Sequence, residues 1–285
     1  HLTHLTCQRR LYKQLLILDF MFSVTDLSTY LYCPRKLYLQ HVLEFQEPPS
    51  EILLLGSINH AVFDKINKMD ESIVSSIDES TDIKELYNKT YFTLLKSILK
   101  EANLKEFSLK PLDVFHELWS RFQEEAELRA NNVLSFIQKN NIYGKELWEK
   151  LTPKYLTEIK LYSEKLELKG IIDRLELTEG SLIPYELKTG TPPREGVWPG
   201  QKIQLISYML LAKENMGKTV THGFIHFIKT NENRKIILNP FSEIEVKNTI
   251  AEIKEILNAE SPPEILENKN KCNVCSLKEE CYKIK

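Results

Sequence analysis

The segment GIIDRLELTEGSLIPYELKTG, residues 170–190, contains two short β-rich runs separated by the turn signal EG at residues 179–180. The first run carries Asp173, and the second run carries Glu186 and Lys188. Side chains two residues apart on a strand point to the same face, so Glu186 and Lys188 should share one face. Asp173 on the neighbouring strand can meet them there. The segment therefore predicts a sheet that brings two carboxylates and a lysine together.

Helices and strands occur around this segment in a mixed order. A helical N-terminal part precedes three strands, a helix, two strands, a second helix and a tail. Strands followed by a helix and further strands favour a mixed central sheet flanked by helices, so we predict an α/β (α+β) fold. The predicted strands are Tyr155–Tyr162, Leu166–Ile171 with an extension toward Leu177, Ser181–Leu187, Val220–Lys229 and Lys235–Leu238, and the two helices are Gly200–Asn215 and Ser242–Asn258.

The sequence pattern of the N-terminal half predicts helices and contains few strand signals. N-cap candidates Ser23, Thr25 and Asp26 open the first helix, and Pro34 predicts a break near Cys33. The remaining predictions are a helix from about Ile52 to Met69, a polar loop from Asp70 to Asp82, and amphipathic helices over Asp82–Ala102 and Pro111–Lys139. We found no chemical motif between Asp70 and Lys150.

The chain begins with His1, whereas Met21 opens the first well-patterned segment. We interpret Met21 as the natural start and His1–Phe20 as upstream or non-native sequence; the alternative is a native arm with little structure. The predicted parts of one integrated domain are a leader over 1–21, an N-terminal helical part over 22–69, a helical insertion over 70–152, the core over 153–260 and a cysteine-rich tail over 261–285.

Composition sets the broad class of the protein. The 285 residues are 42% apolar and 27% charged, which is enough to form a core and excludes a disordered chain. The formal net charge is −2, so a nucleic-acid partner would need a local basic patch. No apolar run approaches the roughly 20 residues that span a bilayer, and we predict a cytoplasmic protein.

Asp173, Glu186 and Lys188 form the sharpest candidate for chemistry. Two carboxylates can hold Mg²⁺ or Mn²⁺, which activates water and neutralises charge at a phosphodiester. Lys188 could position that water or stabilise developing charge. The same E-x-K pattern recurs at Glu158 and Lys160, where no aspartate is near, and we interpret that copy as a solvated strand face.

Five cysteines occur, and three of them form a C-x2-C-x5-C pattern at Cys272, Cys275 and Cys281. Cys33 is the natural fourth ligand of a metal centre, because Cys7 lies in the leader. Four thiolates suit zinc or an iron–sulfur cluster, and spacing alone leaves both open. Either centre would connect residue 33 to residue 272 and close a very long loop.

Three further residues could complete a site. His60 ends a G-x-x-x-H pattern on a predicted helix, and Gln204 and Tyr208 lie one turn apart on another helix. Taken singly, each has an ordinary explanation as a core or surface residue. Their joint order along the chain carries more information.

The order G-x-x-x-H, G-x-x-D, E-x-K and Q-x-x-x-Y resembles the RecB-like branch of the PD-(D/E)XK nuclease superfamily, which has a restriction-endonuclease-like fold. The added cysteine pattern resembles the iron–sulfur members of that branch, the AddB-type nucleases and the CRISPR-associated single-domain exonucleases (the Cas-four family). The resemblance covers about Phe22 to Tyr282. Within the branch, the chain is most similar to the CRISPR-associated type, because it is short and lacks a Walker A pattern.

The resemblance implies a role for each candidate residue. His60, Asp173, Glu186 and the Leu187 carbonyl would bind Mg²⁺ or Mn²⁺, and Lys188 would be the catalytic lysine. Gln204 and Tyr208 would support the site and contact DNA. The resemblance also favours iron over zinc, and its [4Fe-4S] cluster would be held by Cys33, Cys272, Cys275 and Cys281.

The implied activity is exonucleolytic cleavage of single-stranded DNA, from the 5′ end toward the 3′ end, during CRISPR spacer acquisition beside the integrase and its small partner. The sequence also permits assembly of the protein into a homo-oligomer. The helical block over 70–150 could arch over the site and admit single strands only. The alternatives are a general repair exonuclease of the RecB/AddB type, and a catalytically inactive iron–sulfur or zinc DNA-binding scaffold.

Several basic and aromatic residues could contact DNA. Trp198 follows the active-site strand and either stacks on a base or lies in the core. The basic candidates for phosphate contacts are Lys154, Lys160, Lys165, Lys169, Arg194 and Lys202, and an ordinary solvated surface explains most of them.

Overall fold

The computed structural model describes residues 21–188 and 190–284. The stretch interpreted as upstream or non-native, residues 1–20, lies outside these described residues. Within them, six strands form one mixed sheet in the order β1-β3-β4-β5-β6, with β2 paired to β3. The strands are β1 (Phe22–Ser23), β2 (Lys154–Ser163), β3 (Leu168–Leu177), β4 (Leu182–Lys188), β5 (His222–Phe227) and β6 (Glu232–Ile237).

The strand directions make the sheet mixed. Strand β1 runs parallel to β3, strand β4 runs parallel to β5, and β5 runs antiparallel to β6. The predicted α/β fold with a mixed sheet flanked by helices is therefore confirmed. The described helices are α1 (Val24–Tyr32), α2 (Pro34–His41), α3 (Glu51–Ser75), α4 (Ile83–Glu101), α5 (Pro111–Asn140), α6 (Gly144–Lys150), α7 (Pro199–Met216), α8 (Ser242–Leu257), α9 (Lys269–Asn273) and α10 (Lys278–Lys283), with 3₁₀ turns at Leu104–Phe107 and Ile228–Thr230.

The chain divides into two compact units. We call the first the sheet unit; it comprises the described residues of His1–Pro48, Ile159–Asp173 and Gly180–Lys285. The second, the helical unit, comprises Pro49–Glu158 and Arg174–Glu179.

Helix α7 is the central helix of the sheet unit. It packs on β4 and β5 and also contacts α1 and α8, so every residue from Ile203 to Ala212 is buried. A helix that is buried on all sides has no polar stripe, and this one contains few charged residues in its middle. Its polar residues Gln204 and Tyr208 are therefore buried beside the sheet.

The first two helices form as the local signals predict. Ser23 and Asp26 form a reciprocal capping box at the start of α1. The helix ends at Tyr32, Cys33 is extended, and Pro34 occupies the first turn of α2. The predicted break near Cys33 is thus present, and it separates Cys33 from both helices.

The helical unit packs α3, α4, α5 and α6 around one hydrophobic cluster. The predicted loop beginning at Asp70 is wrong, because α3 continues to Ser75. Ile73 and Val74 are buried in the cluster, and the Asp70 carboxylate pairs with Arg129 of α5. These contacts keep a polar-looking stretch helical.

Candidate active site and cysteine cavity

Strand β4 places Glu186 and Lys188 on the same face of the sheet. The exposure of its residues alternates along the strand, as expected for side chains that point to opposite faces in turn. Leu182, Pro184 and Glu186 are buried on the face that α7 covers, and Glu186 is only 3% exposed. The predicted shared face of Glu186 and Lys188 is therefore present.

Asp173 on β3 reaches the same stretch of β4. Its carboxylate oxygen Oδ2 accepts a hydrogen bond from the Leu187 backbone N–H at 2.7 Å. Leu187 lies between Glu186 and Lys188, so the structure brings the aspartate to the E-x-K stretch. The hydrogen bond also fixes the orientation of the Asp173 carboxylate.

A chain of hydrogen bonds connects the lysine to helix α7. The Lys188 ammonium donates to Glu186 Oε1 at 2.6 Å and to Gln204 Oε1 at 3.0 Å. Gln204 Nε2 donates to the Tyr208 hydroxyl at 3.3 Å. Glu186, Gln204 and Tyr208 are all buried, whereas the Lys188 side chain is 25% exposed. The lysine is thus held by buried partners while part of it faces solvent.

Gly170 allows the strand and α7 to approach closely. A Cβ atom at this position would lie 2.8 Å from Tyr208 Cε1 and 2.8 Å from Val24 Cγ2. Real Cβ atoms do not tolerate such contacts, so any larger residue would displace Tyr208 or the strand. Gly170, the glycine of the G-x-x-D pattern, therefore leaves the space that the Tyr208 ring occupies.

His60 lies on α3 in the helical unit. Its Nδ1 atom contacts Glu158 Oε2, and the His60 side chain is 55% exposed. Our interpretation of Glu158 as part of a solvated strand face is wrong, because its side chain is only 9% exposed. Glu158 also has a φ of 54°, a left-handed conformation that is uncommon for glutamate. The strand turns this carboxylate toward the helix instead of into solvent.

The cysteines converge in the sheet unit. Cys33, Cys272, Cys275 and Cys281 are each half-buried and line one cavity. Burial raises the pKa of the Cys33 thiol, and the neighbouring Cys275 and Cys281 raise it further. The other residues that line this cavity are Tyr32, Lys36, Leu39, Ile265, Leu266, Lys271, Leu277, Lys278 and Tyr282.

Neither group of residues forms a closely packed single-ion site. Across residues 21–188 and 190–284, no three His, Cys, Asp or Glu side chains are close enough together to hold one metal ion. The same described residues contain no helix that is both long and apolar enough to cross a membrane.

Of the DNA-contact candidates, Trp198 is 55% exposed, while Lys202 pairs with Glu245 at 2.9 Å.

The helical unit contains a buried ionic network that the sequence analysis missed. Arg129 is 2% exposed and binds Glu125 Oε1 at 3.0 Å and Asp70 Oδ2 at 2.8 Å. Arg174 binds the other Glu125 oxygen at 3.1 Å, and the Tyr87 hydroxyl donates to Asp70 at 2.9 Å. Burial opposes ionisation of Glu125, but Arg174 and Arg129 bring the pKa of its carboxyl below the usual value. Glu125 and Arg129 are four residues apart on α5, and this spacing was the signal in the sequence that could have indicated an ion pair.

Comparisons with known proteins give three kinds of match. A family model described as the PD-(D/E)XK nuclease superfamily matches residues 21–282. The chain is 30% identical over 148 residues to a CRISPR-associated exonuclease Cas4/endonuclease Cas1 fusion of Leptospira interrogans, covering 48% of this chain and 27% of the fusion. A protein of the same description from Myxococcus xanthus is 24% identical over 200 residues, covering 68% of this chain and 34% of the relative.

Another relative is the DNA replication ATP-dependent helicase/nuclease DNA2 of Homo sapiens. It is 24% identical over 289 residues, a match that covers 90% of this chain and 26% of the relative. The chain therefore spans between about a quarter and a third of the length of these relatives.

Proposed function

Because the chain belongs to the PD-(D/E)XK nuclease superfamily, we propose that it is a divalent-metal-dependent exonuclease that hydrolyses single-stranded DNA, with 5′ to 3′ polarity. Membership of the superfamily confirms the resemblance predicted from the sequence. The observation that carries the proposal is the hydrogen-bonded set on β3, β4 and α7. In this set Asp173 accepts from the Leu187 N–H, and the adjacent Lys188 donates to Glu186 and Gln204.

Asp173, Glu186, the Leu187 carbonyl and His60 would hold Mg²⁺ or Mn²⁺. The two carboxylates and the carbonyl are oxygen donors of the kind that these ions prefer. A bound ion supplies an activated water and neutralises charge on the phosphodiester. Glu158 contacts His60 Nδ1 and would orient the imidazole ring as a metal ligand.

Lys188 provides the positive charge that the reaction needs. Its ammonium lies between Glu186 and Gln204, and both partners are buried, so the charge is fixed in direction before DNA binds. A preorganised cation stabilises the extra negative charge that develops on the phosphorus oxygens. Gln204 accepts from the lysine, and the Tyr208 hydroxyl in turn accepts from Gln204. Both side chains are buried, which favours this supporting role over the DNA contact that the resemblance implies.

The cysteine cavity would hold a [4Fe-4S] cluster. Four thiols line one cavity together with Lys36, Lys271 and Lys278, and cysteine sulfurs are the ligands that such a cluster takes. Four thiols would suit zinc as well as a cluster. The resemblance to the iron–sulfur nucleases is what favours the cluster.

The direct test is degradation of end-labelled single-stranded DNA with Mg²⁺ or Mn²⁺, compared with EDTA. Lys188→Ala should lower the rate of metal-dependent cleavage on the order of 100- to 1000-fold, while the control Lys145→Ala, at a side chain that is 81% exposed, should retain it. Labels at the 5′ and 3′ ends, together with blocked ends, report the polarity. A folded wild-type protein without metal-dependent cleavage would support the inactive-scaffold alternative, and cleavage by Lys188→Ala at the wild-type rate would mean that the active site lies elsewhere.

The pathway proposal rests on the relatives whose names join an exonuclease to the endonuclease Cas1 in one fusion. We propose that this chain trims DNA beside such an integrase during spacer acquisition, in the cytoplasm. Co-elution of the purified chain with purified integrase in size-exclusion chromatography tests this. The DNA2 match covers 90% of the chain but fits the repair alternative only loosely, because the name of that relative refers to DNA replication. Stimulation of cleavage by the integrase would separate the two roles.

The helical unit is the proposed source of strand selectivity. The proposal that the helical block over 70–150 restricts cleavage to single strands rests on its length and polarity. Deleting α4, α5 and α6 while joining α3 to β2 should then allow cleavage of duplex DNA ends. Unchanged preference for single strands in a folded deletion protein contradicts this role.

A further inference from the structure

We propose that Tyr32, Arg35 and Lys271 form a clamp that assembles the cysteine ligands in the metal-free protein, before any cluster binds. The inference concerns the proposed cluster site and rests on that part of the proposed function. The sequence predicts that a metal centre connects residue 33 to residue 272, and the clamp adds a connection that needs no metal. In the clamp, protein hydrogen bonds make the connection, and the cluster fills a cavity that is already formed.

Arg35 is the first element of the clamp. It is only 4% exposed, and its guanidinium donates to three backbone carbonyls of the C-terminal segment. The partners are Pro263 O at 2.6 Å, Ile284 O at 2.6 Å and Cys281 O at 3.2 Å. Arg35 therefore holds the tail at both of its ends and also at one of the cysteines.

Tyr32 and Lys271 are the second element, and they bind each other reciprocally. The Tyr32 hydroxyl donates to the Lys271 carbonyl at 2.7 Å, and the Lys271 ammonium donates to the Tyr32 carbonyl at 2.8 Å. The ammonium also lies 5.0 Å from the centre of the Tyr32 ring. Tyr32 directly precedes Cys33, and Lys271 directly precedes Cys272, so this pair sets the positions of two thiols.

The clamp fixes the ligand set without help from a metal. Cys33, Cys272 and Cys281 each lie at or next to a clamp contact. The position of Cys275 is set through Cys272, because the Cys275 backbone N–H donates to Cys272 O at 3.2 Å. Hydrogen bonds from a charged group are stronger than neutral ones, so the three bonds from Arg35 stabilise the docked tail.

The test is hydrogen exchange of the tail in the metal-free, 285-residue protein. We expect peptides that contain Cys272–Cys281 to be protected in wild type and in Cys275→Ala, which removes one ligand but no clamp contact. Arg35→Met should raise their exchange rate on the order of tenfold, because hydrogen bonds to a charged group are lost. Tyr32→Phe should raise it severalfold, and Tyr162→Phe, a change on β2 at a residue that is 40% exposed, should not.

A second measurement separates positioning from general stability. Reconstitution with iron and sulfide, followed by visible absorbance, should be slower in Arg35→Met and Tyr32→Phe but should end at the wild-type spectrum. Arg35→Lys should recover part of the rate, because an ammonium can still donate to one or two of the carbonyls. Exchange in peptides of β4 should stay at the wild-type level in all variants.

Two results would overturn the clamp. One is a metal-free wild-type tail that exchanges at the unprotected rate and becomes protected only after reconstitution. The other is release of the tail by Cys275→Ala to the same extent as by Arg35→Met. Should Arg35→Met fail to fold, Tyr32→Phe and Arg35→Lys give the same comparison. None of these readouts needs DNA cleavage, so a protein that lacks nuclease activity but keeps a protected tail retains the clamp.

Discussion

Replacing Gln204 by leucine should slow DNA cleavage without unfolding the protein. Gln204 is 7% exposed, and its carbonyl oxygen is one of the two acceptors that hold the Lys188 ammonium. The substitution keeps the volume nearly unchanged and removes that acceptor, while the Glu186 contact at 2.6 Å remains. The lysine should then be free to rotate away from the direction in which Gln204 holds it.

The size of the effect follows from the lost hydrogen bond. A hydrogen bond to a charged group contributes about 1.5–3 kcal/mol, and full expression of this energy in the transition state would lower the rate about 10- to 150-fold. Complete removal of the charge in Lys188→Ala should have a larger effect, on the order of 100- to 1000-fold. The expected order of cleavage rates is therefore wild type, then Gln204→Leu, then Lys188→Ala.

The assay is the rate of single-turnover cleavage of end-labelled single-stranded DNA, with urea unfolding of each variant as a check on folding. Gln138→Leu, the same change at an exposed position on α5, is the matched control. In the Lys188→Ala background, Gln204→Leu should have no further effect, because Gln204 acts through the lysine. A wild-type rate for Gln204→Leu, or an equal loss in both backgrounds, would refute this reasoning.

Three further predictions concern other parts of the chain. Arg129→Met should lower the free energy of unfolding by about 3–5 kcal/mol, measured by urea titration, because the buried carboxylates of Asp70 and Glu125 each lose a charged partner; an unchanged midpoint would contradict it. Glu158→Gln should weaken Mn²⁺ binding about 10- to 100-fold, measured by electron paramagnetic resonance of free Mn²⁺, because the ligand orientation of His60 is lost; full affinity would rule out that role. The hydrogen bond to Asp26 raises the pKa of His41. The stability from this pair is therefore complete below about pH 6.5 and is lost as the pH rises through the folded pKa. His41→Gln should remove this part of the pH dependence of the free energy of unfolding, measured by urea titration at several pH values.

Local sequence patterns predict most elements of the sheet unit. The predicted strand Ser181–Leu187 and helix Gly200–Asn215 each differ by one residue at either end from β4 (Leu182–Lys188) and α7 (Pro199–Met216). These patterns succeed because strand alternation and helical spacing involve neighbours in sequence. The shared face of Glu186 and Lys188 follows from the same rule.

Long-range contacts account for the features that the sequence analysis missed. The partner of Asp70 lies 59 residues away at Arg129, and the partner of Glu158 lies 98 residues away at His60. Periodicity cannot reveal such partners, so Asp70 was predicted to lie in a loop and Glu158 to be solvated. In both cases a polar side chain is buried because a specific partner compensates its desolvation.

The sequence by itself determined the fold class, the alternation that pairs Glu186 with Lys188, the break at Cys33, and a motif order typical of one nuclease superfamily. These are properties of residues that are close together in the chain or that follow one another in a fixed order. Only the tertiary structure decided that Lys188 bridges Glu186 and Gln204, and that Arg35 reaches a carbonyl 246 residues away at Cys281. Such contacts depend on how elements pack, because the charge of a buried side chain is stabilised only where distant backbone or side-chain groups can reach it.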